Sequence, residues 1–216
     1  MSSTTTSLGG RLPLAERSAL TGAQLELFDR FVAEAVPWAQ RAGFVTQSAD
    51  GALIGPFNPL LESPEISAAW WWDYQAAEGR HTTLSARERE VVILAVGAVW
   101  HAPYELYSHS AAARTAGLSP EQVDTLAGGG MPDQLSAREQ CAWRFTRQLT
   151  AERHIGQSLY DEAADLLGTH AIVDMLYLIG SYQFVCGLLN TFDVPAPEGT
   201  LTQRTDEDRP ACVHTL

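Results

Sequence analysis

Lysine is absent from the 216 residues, so all 14 basic side chains are arginine. That absence excludes a lysine Schiff base, a pyridoxal-phosphate anchor and a Walker A lysine. Cysteine is scarce and scattered. Cys141, Cys186 and Cys212 are far apart and form no CxxC, so neither a redox dithiol nor a thiolate zinc site within one chain is expected. Positive charge is also short: 14 cations face 26 anions, for a net charge of −12. An acidic chain does not present a phosphate-tracking surface, and no nucleic-acid partner is expected. No run reaches the about 18 apolar residues of a spanning helix, so no membrane partner is expected either. The opening MSSTTTSLGGRLPLAERS lacks a basic patch followed by an apolar core, so no secretory signal is expected. Together these absences point to a reduced, cytoplasmic location. Strand alternation bounded by hairpin signals is missing too.

Helix punctuation is plentiful instead. Ser63-Pro64-Glu65 and Ser119-Pro120-Glu121 each place a serine N-cap before a proline at the first helical position. Ser85-Ala86-Arg87-Glu88 and Ser136-Ala137-Arg138-Glu139 are capping boxes. The word LSARE occurs at both 84–88 and 135–139, a hint of duplication, although two capping boxes arising independently is the simpler account. Apolar spacing predicts helices at 22–36, 64–78, 86–101, 104–116, 120–127, 137–150, 157–167 and 171–190. Pro37 is expected to end or kink the first. The stretch 44–62 carries Gly51, Gly55, Pro56 and Pro59 and reads as an ordered loop. Residues 171–190 are apolar on nearly all sides, as in a helix buried centrally or at a subunit contact. The fold class is all-α. The expected organisation is a flexible N-terminal segment at 1–20, one helical domain at 21–195 and a C-terminal tail at 196–216.

Chemistry concentrates in 84–118. Pro103 marks a break, so one helix should end near His101 and the next begin near Pro103. Glu105 and His109 then stand at i and i+4 on one face. Glu90, Gly97 and His101 share a stripe of the preceding helix. Two helices meeting at a break can converge Glu90, His101, Glu105 and His109 on one pocket. A buried carboxylate beside an imidazole can relay protons. Ordinary alternatives stand beside this: a first-turn glutamate suits the helix dipole, and Glu105–His109 is also a common stabilising pair. His101, Glu105 and His109 resemble a helical metal comb, but Pro103 interrupts it and the sequence supplies no further ligand. Trp70, Trp71 and Trp72 must point in three directions, towards the core and towards a pocket or partner. Tyr104, Tyr107, Tyr182 and Gln183 can offer polar contacts to a ligand or satisfy one another in the core.

The words LSARERE, YELYSH and AAARTAGLSPEQVDTLAGG, with GPFNPLLESPEI before them and LSAREQCAWRFTRQLT and YLIGSYQFVCGLLNTFDVP after, resemble the carboxymuconolactone decarboxylase and alkylhydroperoxidase-like family over roughly 53–195. The resemblance implies an all-α alkylhydroperoxidase-like fold of seven to eight helices that assembles as a homo-oligomer (dimer, trimer or hexamer). The family's peroxidase branch carries a CxxC whose two positions fall on Ala102 and Glu105 here. Its histidine falls on His109 and its upstream glutamate on Glu90. Both cysteines are therefore missing, while the glutamate and histidine remain. Peroxidase chemistry needs a thiolate, so the chain looks closer to the decarboxylase branch.

The leading expectation is a cofactor-free acid/base enzyme, a decarboxylase, lyase or isomerase acting on a small carboxylated or enolisable molecule. Glu90, Glu105 and His109 would be catalytic, with His109 shuttling the proton. His101, Tyr104 and Trp72 would contact substrate. Arg87 or Arg89 would anchor a substrate carboxylate. No metal and no cofactor are expected. The alternatives are a non-catalytic oligomeric binding or accessory protein, a peroxidase using Cys186, and a metal enzyme using the His101/Glu105/His109 comb.

Overall fold

The structure, a computed structural model, describes residues 8–197. The expectations for the first seven residues, for the stretch from 198 onward, and for Cys212 fall outside the described residues. Within them the chain is helical, with a single isolated bridge between Gln47 and Leu53.

Helix α1 (Gly22–Arg30) runs through a π turn (Phe31–Ala35) into α2 (Val36–Ala42). Pro37 therefore does not end the helix. The π turn, closed by the Val36 N–H on the Phe31 carbonyl, lies just ahead of it. Pro37 thus sits in the first turn of a renewed α segment, where its missing N–H costs nothing. The loop that follows is ordered, as expected, and adds one helical turn, α3 (Phe57–Leu60). Buried Asn58 accepts from the Ala15 N–H at 2.9 Å and donates to the Pro13 carbonyl at 3.2 Å. The Arg11 N–H donates to the Phe192 carbonyl at 2.7 Å. The flexible segment expected through residue 20 is thereby narrowed, because its described part is tied to the body.

Helix α4 (Pro64–Ala68) passes through a second π turn (Ala69–Gln75) into α5 (Ala76–His81). The three tryptophans lie in that turn. Trp71 meets Phe31 and Phe57 edge-on at 5.5 and 5.2 Å.

Helix α6 (Ala86–Trp100) is the axis of the molecule. Val91 through Ala98 are all buried. It packs between α9 (Ala137–Glu152) and α11 (Thr169–Thr191), where Val92, Ile93 and Val96 meet Cys141, Phe145, Met175 and Ile179. Helices α7 (Pro103–Thr115) and α8 (Pro120–Ala127) close its other side through Leu106, Ala113, Val123 and Leu126. Helix α10 (Gln157–Leu166) covers α9.

The two LSARE words are cross-linked. Both capping boxes form, and the Arg87 guanidinium reaches Glu139 at 2.7 Å while the Arg138 guanidinium reaches Glu88 at 2.6 Å. Each capping glutamate thus holds its own helix start and the arginine of the other motif. This reciprocity is what an internal duplication would leave.

Helix α11 corrects one expectation and leaves the subunit-contact alternative of another open. By length and composition it could cross a membrane, although the sequence reading found no such stretch. Its small and polar residues, from Gly180 and Ser181 to Asn190, interrupt the apolar run without lowering the mean enough. It is also not buried all round. Ala171, Ile172, Met175, Leu178 and Ile179 face the core, while Val173, Leu176, Tyr177 and Phe184 are exposed.

Candidate active site

Helix α6 ends at Trp100 because His101 adopts a left-handed conformation (φ 50°), and Ala102 is extended ahead of Pro103. This break turns α7 back along α6. The Glu105–His109 face of α7 then lies against the middle of α6, where Gly97 leaves room for it. A Cβ at Gly97 would stand 3.1 Å from Leu106 Cδ2 and 3.5 Å from Glu105 Cγ.

The turn brings Glu90, Glu105 and His109 together. His109 Nδ1 is 2.9 Å from Glu90 Oε2, in hydrogen-bond geometry. His109 Nε2 lies 3.3 Å from Glu105 Oε1. The second contact is electrostatic only, since Glu105 Oε1 has no hydrogen-bond partner. Side-chain exposure falls inward along the set, from 14% at Glu90 to 7% at His109 and 3% at Glu105. Tyr182 of α11 sets its ring edge-to-face on the imidazole, 4.9 Å between centroids.

The electrostatics follow from this burial. Desolvation, with help from Glu90, pushes the Glu105 carboxyl up to about 7, although His109 pulls the other way. Burial opposes a charged His109, yet Glu90 and Glu105 outweigh it and raise the imidazole above its ordinary value. Glu105 and His109 are therefore both disposed to hold a proton near neutral pH.

The other predicted site residues are placed elsewhere. His101 is exposed, because the left-handed cap that breaks the helix takes it off the Glu90 stripe. Tyr104 is buried, but its hydroxyl donates to the Val45 carbonyl at 2.6 Å. The Tyr107 hydroxyl accepts from the Val45 N–H at 3.0 Å. Both tyrosines pin the 44–56 loop. Trp72 stacks on Phe31 at 5.3 Å under the Arg30 guanidinium, at the outer aromatic cluster. The metal comb is not assembled, and among the described residues no group of three or more His, Cys, Asp or Glu is placed to hold a metal ion. Cys186 is a poor peroxidatic candidate, because burial, reinforced by Glu105, pushes its thiol well up.

Two features escaped the sequence reading. Arg89 pairs with Glu78 of α5, whose carboxylate is 5% exposed and leaves Oε2 without a partner. Ser181 on α11 is buried, with its hydroxyl against the Tyr74 phenol. The spacing of Glu78 and Ser181 from the 84–118 words carries no signal, since only packing brings α5 and α11 to α6.

Residues 67–148, which contain Glu90, Glu105 and His109, match the carboxymuconolactone decarboxylase family. No curated protein matches the chain. Among solved structures, an uncharacterised peroxidase-related protein from Ralstonia eutropha JMP134 with an alkylhydroperoxidase AhpD core aligns with a TM-score of 0.68 at 18% identity, covering 88% of this chain and 93% of that one. A peroxidase-related protein from Silicibacter sp. TM1040 aligns at 0.66 and 18%, covering 91% and 96%. The debrominase Bmp8, as a cysteine-to-alanine variant with 2,3,4-tribromopyrrole, aligns at 0.63 and 15%, covering 86% and 90%. At these identities the likeness establishes the all-α AhpD-like fold. Ala102, where the resemblance puts one cysteine of the peroxidase branch, is fully buried at the start of α7, and Glu105, where it puts the other, lies in the first turn.

Proposed function

We propose that the chain is an acid/base enzyme, a decarboxylase, lyase or isomerase, that moves a proton on a small enolisable molecule without thiol chemistry. The observation that carries this reading is the buried Glu90–His109–Glu105 series with the Glu105 carboxyl near 7. A group that titrates near the working pH both takes and returns protons efficiently.

We assign the roles within the set afresh, with the geometry in support. Both ring nitrogens of His109 face carboxylates, so His109 is the middle of the relay. Glu90, the most exposed member, meets the substrate. Glu105, the deepest, stores the proton. The same reading keeps a cytoplasmic setting, where the buried thiols of Cys141 and Cys186 stay reduced.

The test is a nuclear magnetic resonance screen of lactones, β-keto acids and simple ketones in D₂O, following conversion and exchange at carbon. Wild type is expected to turn over at least one class. His109→Gln should lose about 100-fold in rate while keeping the wild-type melting profile. Undiminished turnover in that folded variant overturns the relay. Tight binding of a compound with no conversion would favour the binding-protein alternative.

A further inference from the structure

Three observations around the relay lie outside it. Tyr182 touches His109, yet its hydroxyl makes no hydrogen bond among the described residues. Its phenol lies within electrostatic reach of Glu78, Arg89, Glu90 and Glu105, which belong to three different helices. Two buried polar atoms on those helices, Glu78 Oε2 and Glu105 Oε1 of the relay itself, also lack partners. Buried polar groups are ordinarily satisfied. Two unsatisfied carboxyl oxygens beside a phenol mark a place where a polar guest completes the bonding.

The charges define that guest. Arg87 is bound to Glu139, and Arg89 is bound to Glu78. Neither arginine is left to neutralise a substrate carboxylate, which corrects the anchoring role expected for them. The neighbourhood already holds the Glu78, Glu90 and Glu105 carboxyls against Arg89 and His109. Adding another anion would place it among carboxylates in a poorly solvated site, at a considerable cost.

We propose that Tyr182 is a second catalytic residue, whose phenol donates a hydrogen bond to the carbonyl oxygen of a neutral, enolisable substrate while Glu90 takes a proton from the adjacent carbon. The proposal rests on the acid/base reading above and, within it, selects a lyase or isomerase over a decarboxylase, whose substrate would have to bring a carboxylate into the site. The C–H bond breaks, and its electron pair forms the C=C bond of an enolate. The carbonyl π pair moves to oxygen, where the Tyr182 O–H stabilises it. The proton passes to the Glu90 carboxylate and returns to the same or a neighbouring carbon, so nothing is oxidised or reduced. Burial among carboxylates holds the phenol well above its ordinary pKa. Tyr182 therefore remains a donor throughout and does not become a rival base.

The experiment follows exchange at carbon in D₂O for a matched pair of probes, neutral cyclohexanone and anionic levulinate. It compares wild type, Tyr182→Phe and His109→Gln. Wild type should exchange cyclohexanone faster than levulinate. Tyr182→Phe should lose about 100-fold in saturating rate, the usual cost of removing one oxyanion donor, with KM little changed and the melting profile preserved. A purely structural tyrosine would not separate rate from KM in this way. Exchange kept in Tyr182→Phe but lost in His109→Gln overturns the tyrosine's role and leaves the relay standing. Exchange kept in both variants overturns both. Preference for levulinate, or no exchange of either ketone by wild type, overturns the proposed substrate class.

Discussion

His109 has a carboxylate at each ring nitrogen, and this sets its role more tightly than its identity does. Glu90 fixes the Nδ1 edge with an aligned hydrogen bond, while Glu105 faces Nε2 without one. Glu90→Gln should therefore disturb the imidazole more than Glu105→Gln does, and it should lower the His109 titration midpoint in an NMR pH series. An unchanged midpoint in Glu90→Gln would break the link between the two. At Gly55 the constraint is steric and conformational. Its φ is +67°, and a Cβ would stand 2.3 Å from the Tyr104 ring. Gly55→Ala combines a left-handed alanine with overpacking and is expected to destabilise by about 2 kcal/mol or more. Chemical denaturation measures this. A loss below about 0.5 kcal/mol would mean that the loop moves freely off Tyr104.

At the scale of elements, the break between α6 and α7 makes the site, and the reciprocal capping boxes make the core. Pro103 and the serine boxes were legible because their effects are local. A missing N–H and a side-chain cap act within one turn, whatever the rest of the chain does. The crossing of Arg87 to Glu139 and Arg138 to Glu88 was not legible, because it needs α6 and α9 side by side. Glu88→Ala and Glu139→Ala each remove a cap and an ion-pair partner, and each should cost about 1–2 kcal/mol. If the motifs are structural equivalents, the two losses should agree within about 0.5 kcal/mol. A large difference between the two denaturation midpoints would argue against that equivalence. His101 was misplaced by the same locality. The stripe Glu90–Gly97–His101 holds only while the helix continues, and the left-handed cap ends it at the last member.

For the whole molecule, the two sets of carboxylates pull stability in opposite directions with pH. Glu88 and Glu139 are desolvated, but their arginines and the cap N–H groups overcome this and hold both below the usual carboxylate range. What they contribute is present above the unfolded pKa and is lost as pH falls through the folded value. Glu105 and His109 behave oppositely, since both are raised in the fold. Their contribution is greatest at low pH. For Glu105 it declines between the ordinary carboxylate value and about 7. The melting temperature should therefore peak at mildly acidic pH and fall on both sides. Glu105→Gln removes the ionisation and should gain on wild type as pH rises from about 5 to 8. A constant gap between the two proteins across that range would show that Glu105 does not titrate there.

The resemblance to a known family narrowed the converging residues to Glu90, Glu105 and His109, while the sequence by itself determined the all-α class, the helix starts and the break at Pro103. These follow from spacing, caps and the missing N–H of one proline, all of which act over a turn or two. Only the tertiary structure decided which nitrogen of His109 faces which carboxylate, that His101 and Trp72 stand away from the set, and that Tyr104 serves the loop. It alone brought Glu78, Ser181 and Tyr182 to α6. Those three lie on helices that reach α6 only through packing of apolar faces, and that packing carries no positional mark on the polar residues it draws together.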